Sequence, residues 1–536
     1  MKKKIWRGLL ALLTCAALVC TTACSTSGAP AQQAANSQVP TIHIMLRGEA
    51  TGMDRVLAAL YAQMDDAHRW QLDFTFVESA DYAQQLARSL TAHDNYDLVF
   101  DAQWVSLATQ VQQKNYKNLK NYFNSAEYPA LQAAFPEEYL EANRISGGTY
   151  AIPFTNTYYD VPGIFYRKDL LKTLGLPFDS ITSREQLETY WAAVAQQGTM
   201  EPLSLGSRGF YQYNLPEVTL QQQGAWNVQG WSFWDYPAQI LISADGKNVL
   251  DVVFPGDDDA HFAAMPEGWQ QNFLDDYLLQ NAADFRWTAP ESLLKENGTT
   301  AFLQGKAASY EAALGSGTGQ VQKNLRAIEP EAEVAFWPYD EAFQPQNRTA
   351  GAIPTTYAAW NYLCVPSYSA NTVETMRFLD WLYSDWSRID LFNYGVEGTD
   401  WQAEGEGEYT LLESAGADAF SFPAYELAWN PQHHRVDAAL PESEKALLEY
   451  TFDPNSYTAS PLTGFTLNTT SIAIEIAGLN SLYNEYFIAF GHGAYGSETQ
   501  AKIDEMHTRS ETIGLETVRA EIARQVQQYL DKNNVA

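Results

Sequence analysis

Between residues 41 and 100 the hydrophobic period switches from two to about three and a half and back, twice, and few folds accept that alternation. Thr41-Ile42-His43-Ile44-Met45-Leu46 reads as a buried strand. Met53, Val56, Leu57, Leu60, Tyr61 and Met64 then recur on one face of a helix. Trp70 to Val77 alternates apolar and polar residues, with Leu72, Phe74 and Phe76 on one side, as a second strand. Asp81 is placed to cap a helix carrying Tyr82, Leu86 and Leu90, and a third strand runs from Tyr96 to Phe100. The pattern is βαβαβ. Parallel strands joined by helical crossovers put their ligand loops at the carboxyl ends of the strands, here Arg47 to Met53 and Asp101 to Val105.

The chain opens differently. Lys2, Lys3, Lys4 and Arg7 precede the apolar run Leu9 to Val19 and then Thr21-Thr22-Ala23-Cys24. That order predicts a secretory signal over residues 1–23, shorter in its apolar part than the ~20 residues a membrane span needs. Small residues directly before a cysteine resemble the cleavage box of bacterial lipoproteins, which implies acylation at Cys24. Thr21 stands where that box usually has leucine. Residues 24–40, rich in Ser, Ala and Gln, read as a flexible tether. The expected location is the outer face of the cell membrane, with the membrane touched through the lipid alone.

The formal charge is -32, and removal of the basic leader makes it more negative. Such a surface repels phosphate backbones and anionic headgroups, so nucleic-acid binding is excluded. Of four cysteines, Cys15 and Cys20 leave with the leader and Cys24 is committed to lipid, so Cys364 has no intrachain partner. It lies in the apolar run Tyr362-Leu363-Cys364-Val365 and reads as core. His433-His434 lacks the i, i+4 spacing of a helical zinc pair, and Asp257-Asp258-Asp259 reads as a solvated acidic turn. No nucleophile elbow, zinc-protease helix or phosphate loop is present, so neither a metal nor a cofactor is expected.

The middle, from about Thr155 to Leu325, is dense in aromatic residues, above all Gly224 to Tyr236. Val334 to Trp337 and Tyr357 to Val365 are predicted strands. Asn371-Thr372-Val373-Glu374 has the form of a capping box opening a helix through Trp386. Leu515, Val518, Ile522, Val526 and Leu530 form one stripe of a terminal helix.

Several segments together resemble the extracellular solute-binding proteins of ABC importers, in the cluster that contains the maltose-binding protein. Gly148-Thr149-Tyr150-Ala151-Ile152-Pro153, then Gly163 to Leu171 and Leu174-Gly175-Leu176-Pro177, resemble that family's crossing between lobes. Phe302 to Ala308 resembles its late second-lobe strand, and Thr372 to Trp386 its return to the first lobe. Tyr394-Gly395-Val396-Glu397-Gly398, Gly464-Phe465 and Ile513 to Gln525 are similar to the C-terminal extension of LipO-type Gram-positive lipoproteins.

The resemblance implies an α/β fold of the periplasmic-binding-protein type II kind, with two α/β lobes, a hinge and a helical C-terminal extension. Residues 41–157 and 331–398 are expected in a discontinuous first lobe, and residues 158–330 and 399–536 in the second lobe with the extension. It further implies a monomer that is no enzyme, captures a carbohydrate, an oligosaccharide by preference, and delivers it to ABC transporter permease subunits. A surface glycoside hydrolase and a peptide-binding importer component are the alternatives.

Sugars present an apolar C–H face and a rim of hydroxyls, so their sites combine aromatic platforms with carboxylates and amides. The chain has 15 Trp, 31 Tyr and 25 Phe, so position must select among them. After the first and third strands the candidates are Glu49, Asp101, Gln103 and Trp104. Tyr158 and Tyr159 stand before the crossing. Trp226, Trp231 and Trp234, set among Gln and Asn, are expected to be exposed. Tyr310 and Glu311 follow the late second-lobe strand, and Tyr357, with Trp360, precedes the return.

Overall fold

The computed structural model describes residues 39–533 apart from 155–160, 207–208, 211–214, 229–230, 232–237, 290–297, 315–317, 406, 413–418 and 429–432. The expected signal, tether and Cys24 lie outside the described residues, as do Tyr158, Tyr159 and Trp234. In chain order the strands that build the two lobes are β1 (Thr41–Arg47), β2 (Gln71–Val77), β3 (Leu98–Asp101), β4 (Ile152–Phe154), β5 (Pro162–Arg167), β6 (Ala225–Asn227), β7 (Gln239–Ile242), β8 (Val249–Val253), β9 (Ser309–Ala313), β10 (Val334–Pro338), β11 (Ile353–Thr355) and β12 (Asn361–Cys364).

The first lobe is a five-stranded sheet in the order β2-β1-β3-β12-β4. β1 pairs in parallel with β2 and β3, and β12 runs antiparallel between β3 and β4. The helices Met53–Ala62 and Tyr82–Ala92 supply the crossovers, burying Val56, Leu60, Tyr82, Leu86 and Leu90 as the period requires. Cys364 is fully buried in this sheet. Two expected caps are absent. Asp81 makes no side-chain cap bond, and Asn371 instead donates to Asp97 and to the Thr41 carbonyl, tying its helix to the start of β1.

The second lobe holds two three-stranded antiparallel sheets, β10-β5-β9 and β6-β7-β8. β10 pairs with β5 from Val334↔Arg167 to Pro338↔Gly163, and the first-lobe core resumes only at Ala359. Strand β10 thus lies beyond residue 331, the expected start of the return, yet pairs in the sheet with β5 and β9. Phe302 lies in the short helix Thr299–Leu303 rather than opening a strand, and β9 begins at Ser309, after the turn at Gly305.

The helices Ala473–Gly491, Thr499–Ile513 and Leu515–Asn533 form the C-terminal extension. The stripe Leu515, Val518, Ile522, Val526 and Leu530 is wholly buried against β7, β8 and the other two helices. Arg519 fastens the last helix: Nη2 and Nη1 donate to Asp257 Oδ1 and Oδ2 at 2.7 and 2.9 Å, and Nη1 also reaches the Val252 carbonyl. Asp257 is thus 5% exposed and ion-paired, not part of a solvated acidic turn. Gly209, at φ 77°, lies so close that a Cβ there would stand 2.1 Å from the Gly491 carbonyl carbon.

Glu444, on the helix Glu442–Phe452, is 2% exposed; Oε1 accepts the Phe336 N–H at 3.1 Å and Oε2 has no hydrogen-bond partner among the described residues. Burial pushes its carboxyl from 4.5 up to about 8. A raised folded value means that the neutral acid is the favoured form, so its stabilisation is complete below the unfolded value and is lost as pH rises through about 8. Asp275, also raised by burial, to about 7, contributes in the same direction. Glu444→Gln is therefore expected to raise the thermal midpoint over wild type by about 2 °C or more near pH 9 and to change it little near pH 5, as read by calorimetry. A variant equally destabilised at both pH values would contradict the assignment.

Candidate functional site

The carboxyl ends of β1 and β3 carry the best-built polar and aromatic cluster among the described residues. Asp101 closes β3. Buried completely, it accepts the N–H groups of Ala102 and Ser106 at 2.8 and 3.0 Å, and the Tyr116 hydroxyl at 2.6 Å. Burial pushes its carboxyl up to about 6, and these bonds keep it from rising further. Its work is to fold the loop: it pairs the Ala102 N–H as the chain leaves the sheet and shares the Ser106 N–H with the Ala102 carbonyl. Asp101 therefore positions Trp104 and is not itself open to a ligand.

Trp104 is half-buried on the loop so formed, with Phe100 at 5.7 Å between centroids. The Arg47 guanidinium, from the end of β1, lies 4.8 Å from the Trp104 ring centroid. Gln103, also half-buried, hydrogen-bonds the Tyr362 side chain. Glu49 is exposed on the loop after β1.

Arg47 is held by residues nearly four hundred positions away. Its backbone N–H donates to Glu426 Oε2 at 2.7 Å, Nε reaches Glu426 Oε1 at 3.4 Å, and Nη2 donates to the Tyr425 hydroxyl at 2.6 Å. Glu426 is 0% exposed, and burial pushes its carboxyl up to about 7 while Arg47 pulls it down. The same segment pairs with the β1 loop: Thr51 and Ser421 exchange backbone bonds at 2.8 and 3.2 Å, and Thr51 Oγ1 donates to the Ala419 carbonyl. Phe422 packs on Phe74, Phe76 and Phe392. Residues 419–428 thus return from the C-terminal part of the chain to the first lobe, where Leu427 and Ala428 join its core. Arg47, Tyr425 and Glu426 escaped the sequence reading; the one cue was a lone acidic residue in the apolar run Phe420 to Ala428.

The other candidates occupy different places. Tyr357 has a left-handed backbone, φ 54°, and packs against the cores of both lobes. Asn143 holds it there, donating to the Tyr357 carbonyl at 2.8 Å and accepting the Ala359 N–H at 2.7 Å. A non-glycine residue kept at positive φ marks an over-determined point of the chain, here the return between lobes rather than a strand. Trp360 beside it is exposed. Tyr310 is 1% exposed, stacked on Phe165 at 5.0 Å and against Phe302 at 4.8 Å, which is a core position. Glu311 is half-buried beside Tyr339.

Trp226 and Trp231 are buried, against the expectation of exposure. They pack with Leu479, Tyr483 and Phe487 of the C-terminal helices, and Trp231 Nε1 donates to Asn480 Oδ1 at 2.9 Å. The extension covers the indoles that a loop alone would have left in water. His433 pairs with Asp390 at 2.7 Å and stacks on Trp386, and no metal-holding group of His, Cys, Asp and Glu occurs among the described residues.

Residues 71–386 match the family model of the bacterial extracellular solute-binding proteins, and residues 461–531 match a domain of unknown function, DUF3502. No curated protein matches the sequence. In fold the chain is similar to the N-glycan transport solute-binding protein of Streptococcus pneumoniae, with a TM-score of 0.65 and 16% identity over 92% of this chain and 100% of that one. It is likewise similar to the alginate-binding protein AlgQ2, at TM-score 0.60 and 14% identity over 92% and 98% of the two chains. A third likeness is to an extracellular solute-binding protein from Bifidobacterium longum subsp. infantis, at 0.59 and 15% over 92% and 99%. These likenesses establish the periplasmic-binding-protein type II fold with a helical C-terminal region.

Proposed function

The chain belongs to the bacterial extracellular solute-binding proteins, which bind solutes for ABC importers and are not enzymes, and from that membership we propose that it captures an oligosaccharide and delivers it to an ABC permease while held at the cell surface by a lipid on Cys24. The observation that carries the sugar reading is the wall at the ends of β1 and β3, where a half-buried indole is flanked by an anchored guanidinium, a phenol and an amide. An indole face matches the C–H face of a pyranose, and the surrounding donors match its hydroxyls. Structural neighbours support the same class: the Streptococcus pneumoniae protein was crystallised with Man1GlcNAc and with Man5GlcNAc, and a Bifidobacterium longum infantis neighbour is described as binding HMO. The lobes close on the ligand by bending around Tyr357, with residues 419–428 moving as part of the first lobe.

The anchor is tested with labelled fatty acid, which is expected in the wild-type protein and absent from Cys24→Ser, the variant being released to the medium. An unacylated wild-type terminus would overturn the anchor.

The site is tested by calorimetric titration of a glycan selected on an array, beside thermal unfolding, for Trp104→Ala and Trp231→Ala. Removing ~60 Å² of apolar contact at Trp104, at about 25 cal/mol per Å², costs roughly 1.5 kcal/mol, or near tenfold in affinity, with little change in midpoint. Trp231→Ala, a core truncation, is expected to cost roughly 3 to 5 kcal/mol of stability and to leave the affinity of the folded fraction intact. Unchanged binding by Trp104→Ala would remove the wall from the site.

A further inference from the structure

Arg47 Nη1 has no hydrogen-bond partner among the described residues, while Nε and Nη2 are occupied by Glu426 and Tyr425 and the guanidinium plane lies near the Trp104 indole. The side chain is 24% exposed, and the carboxylate behind it 0% exposed. A cation so fixed has one donor edge to offer and cannot swing away to pair elsewhere. Alone it would make the wall attractive to carboxylates, because a guanidinium fork matches them in both charge and geometry.

The surroundings cancel that attraction. Once ionised, Glu426 contributes one negative charge in direct contact, and Glu49 adds another on the exposed loop. Asp101 lies under the same loop, and the hydroxyls of Tyr425 and Tyr82 bring no positive charge. Arg55, on the helix after the loop, is held by both carboxylate oxygens of Asp400. The wall therefore presents a hydrogen-bond donor without a net positive field.

We propose that Glu426 is a specificity-determining residue, which balances Arg47 and so makes the first-lobe wall select uncharged glycans over those bearing a uronate or sialate. The proposal rests on the carbohydrate reading of this wall. Glu426 touches Arg47 and not the sugar, so it acts through the charge that Arg47 shows to the ligand. Glu426→Gln keeps an acceptor for the Arg47 N–H and leaves the guanidinium uncompensated.

The test is an array of neutral gluco-, manno- and galacto-oligosaccharides beside the same chains ending in a uronate or sialate. It is probed at about pH 8, where Glu426 is mostly ionised, with the wild-type mature domain, Glu426→Gln, Trp104→Ala, and Glu426→Gln combined with Arg47→Gln. Wild type is expected to bind the neutral members at least tenfold more tightly than their acidic counterparts. Glu426→Gln should narrow that ratio at least tenfold, and the double variant should restore it, since no unbalanced charge remains. Thermal unfolding of each variant accompanies the array, and if Glu426→Gln does not fold, the wild-type ratio decides. Wild type that binds acidic members as tightly as neutral ones, or a folded Glu426→Gln with an unchanged ratio, overturns the proposal. If wild type binds no glycan, the carbohydrate reading falls and the proposal with it; if wild type binds but Trp104→Ala changes nothing, the wall lies outside the site and the proposal falls alone.

Discussion

A buried carboxylate supplied by a late segment, Glu426, accepts the backbone N–H of the last residue of the first strand, and much of the first-lobe ligand face follows from that contact. Removing Arg47 would leave the Glu426 carboxylate buried without compensation, so the two distant segments depend on each other. Because Glu426 also reaches the Arg47 side chain and Tyr425 bonds its tip, the guanidinium is held beside Trp104 rather than free in solvent. The exchange of backbone bonds between Thr51 and Ser421 extends the same seam along the β1 loop. A ligand meeting this face meets groups already in position, so less of its binding energy is spent on ordering them.

The C-terminal extension does comparable work on the second lobe. Its three helices cover the sheet β6-β7-β8, and the Arg519 to Asp257 pair, with two short bonds, fixes the last of them. Trp226 and Trp231 show what that covering changes, since Asn480 takes up the Trp231 N–H and the indoles become core. Residues 461–531, which match the domain of unknown function, include most of these helices, so that domain is in this chain part of the lobe's core and not an appended module.

Much of the fold was legible because its signals are local. The βαβαβ unit, the buried Cys364 and the terminal stripe from Leu515 to Leu530 each declare themselves within twenty residues or so, as periodicity does. The failures share a different cause. Trp226 and Trp231 looked exposed because the helices that bury them lie some 250 positions later. Asp257 looked solvated because its arginine is 262 positions away. Asn371 had the form of a cap, but Asp97 and the Thr41 carbonyl compete for its amide and win. Trp104 was placed at a strand end by topology alone, whereas nothing near Arg47 announces Tyr425 and Glu426.

The joining of residues 47–52 to residues 419–428 is tested most directly by hydrogen exchange with mass spectrometry on the mature domain. If the two segments form one unit, their amides open together, so both should exchange slowly, at matched rates, and slow further in step when a bound glycan is added. Fast exchange across residues 419–428 beside a protected β1 loop would contradict it, showing that the late segment rests on the lobe without organising its ligand face.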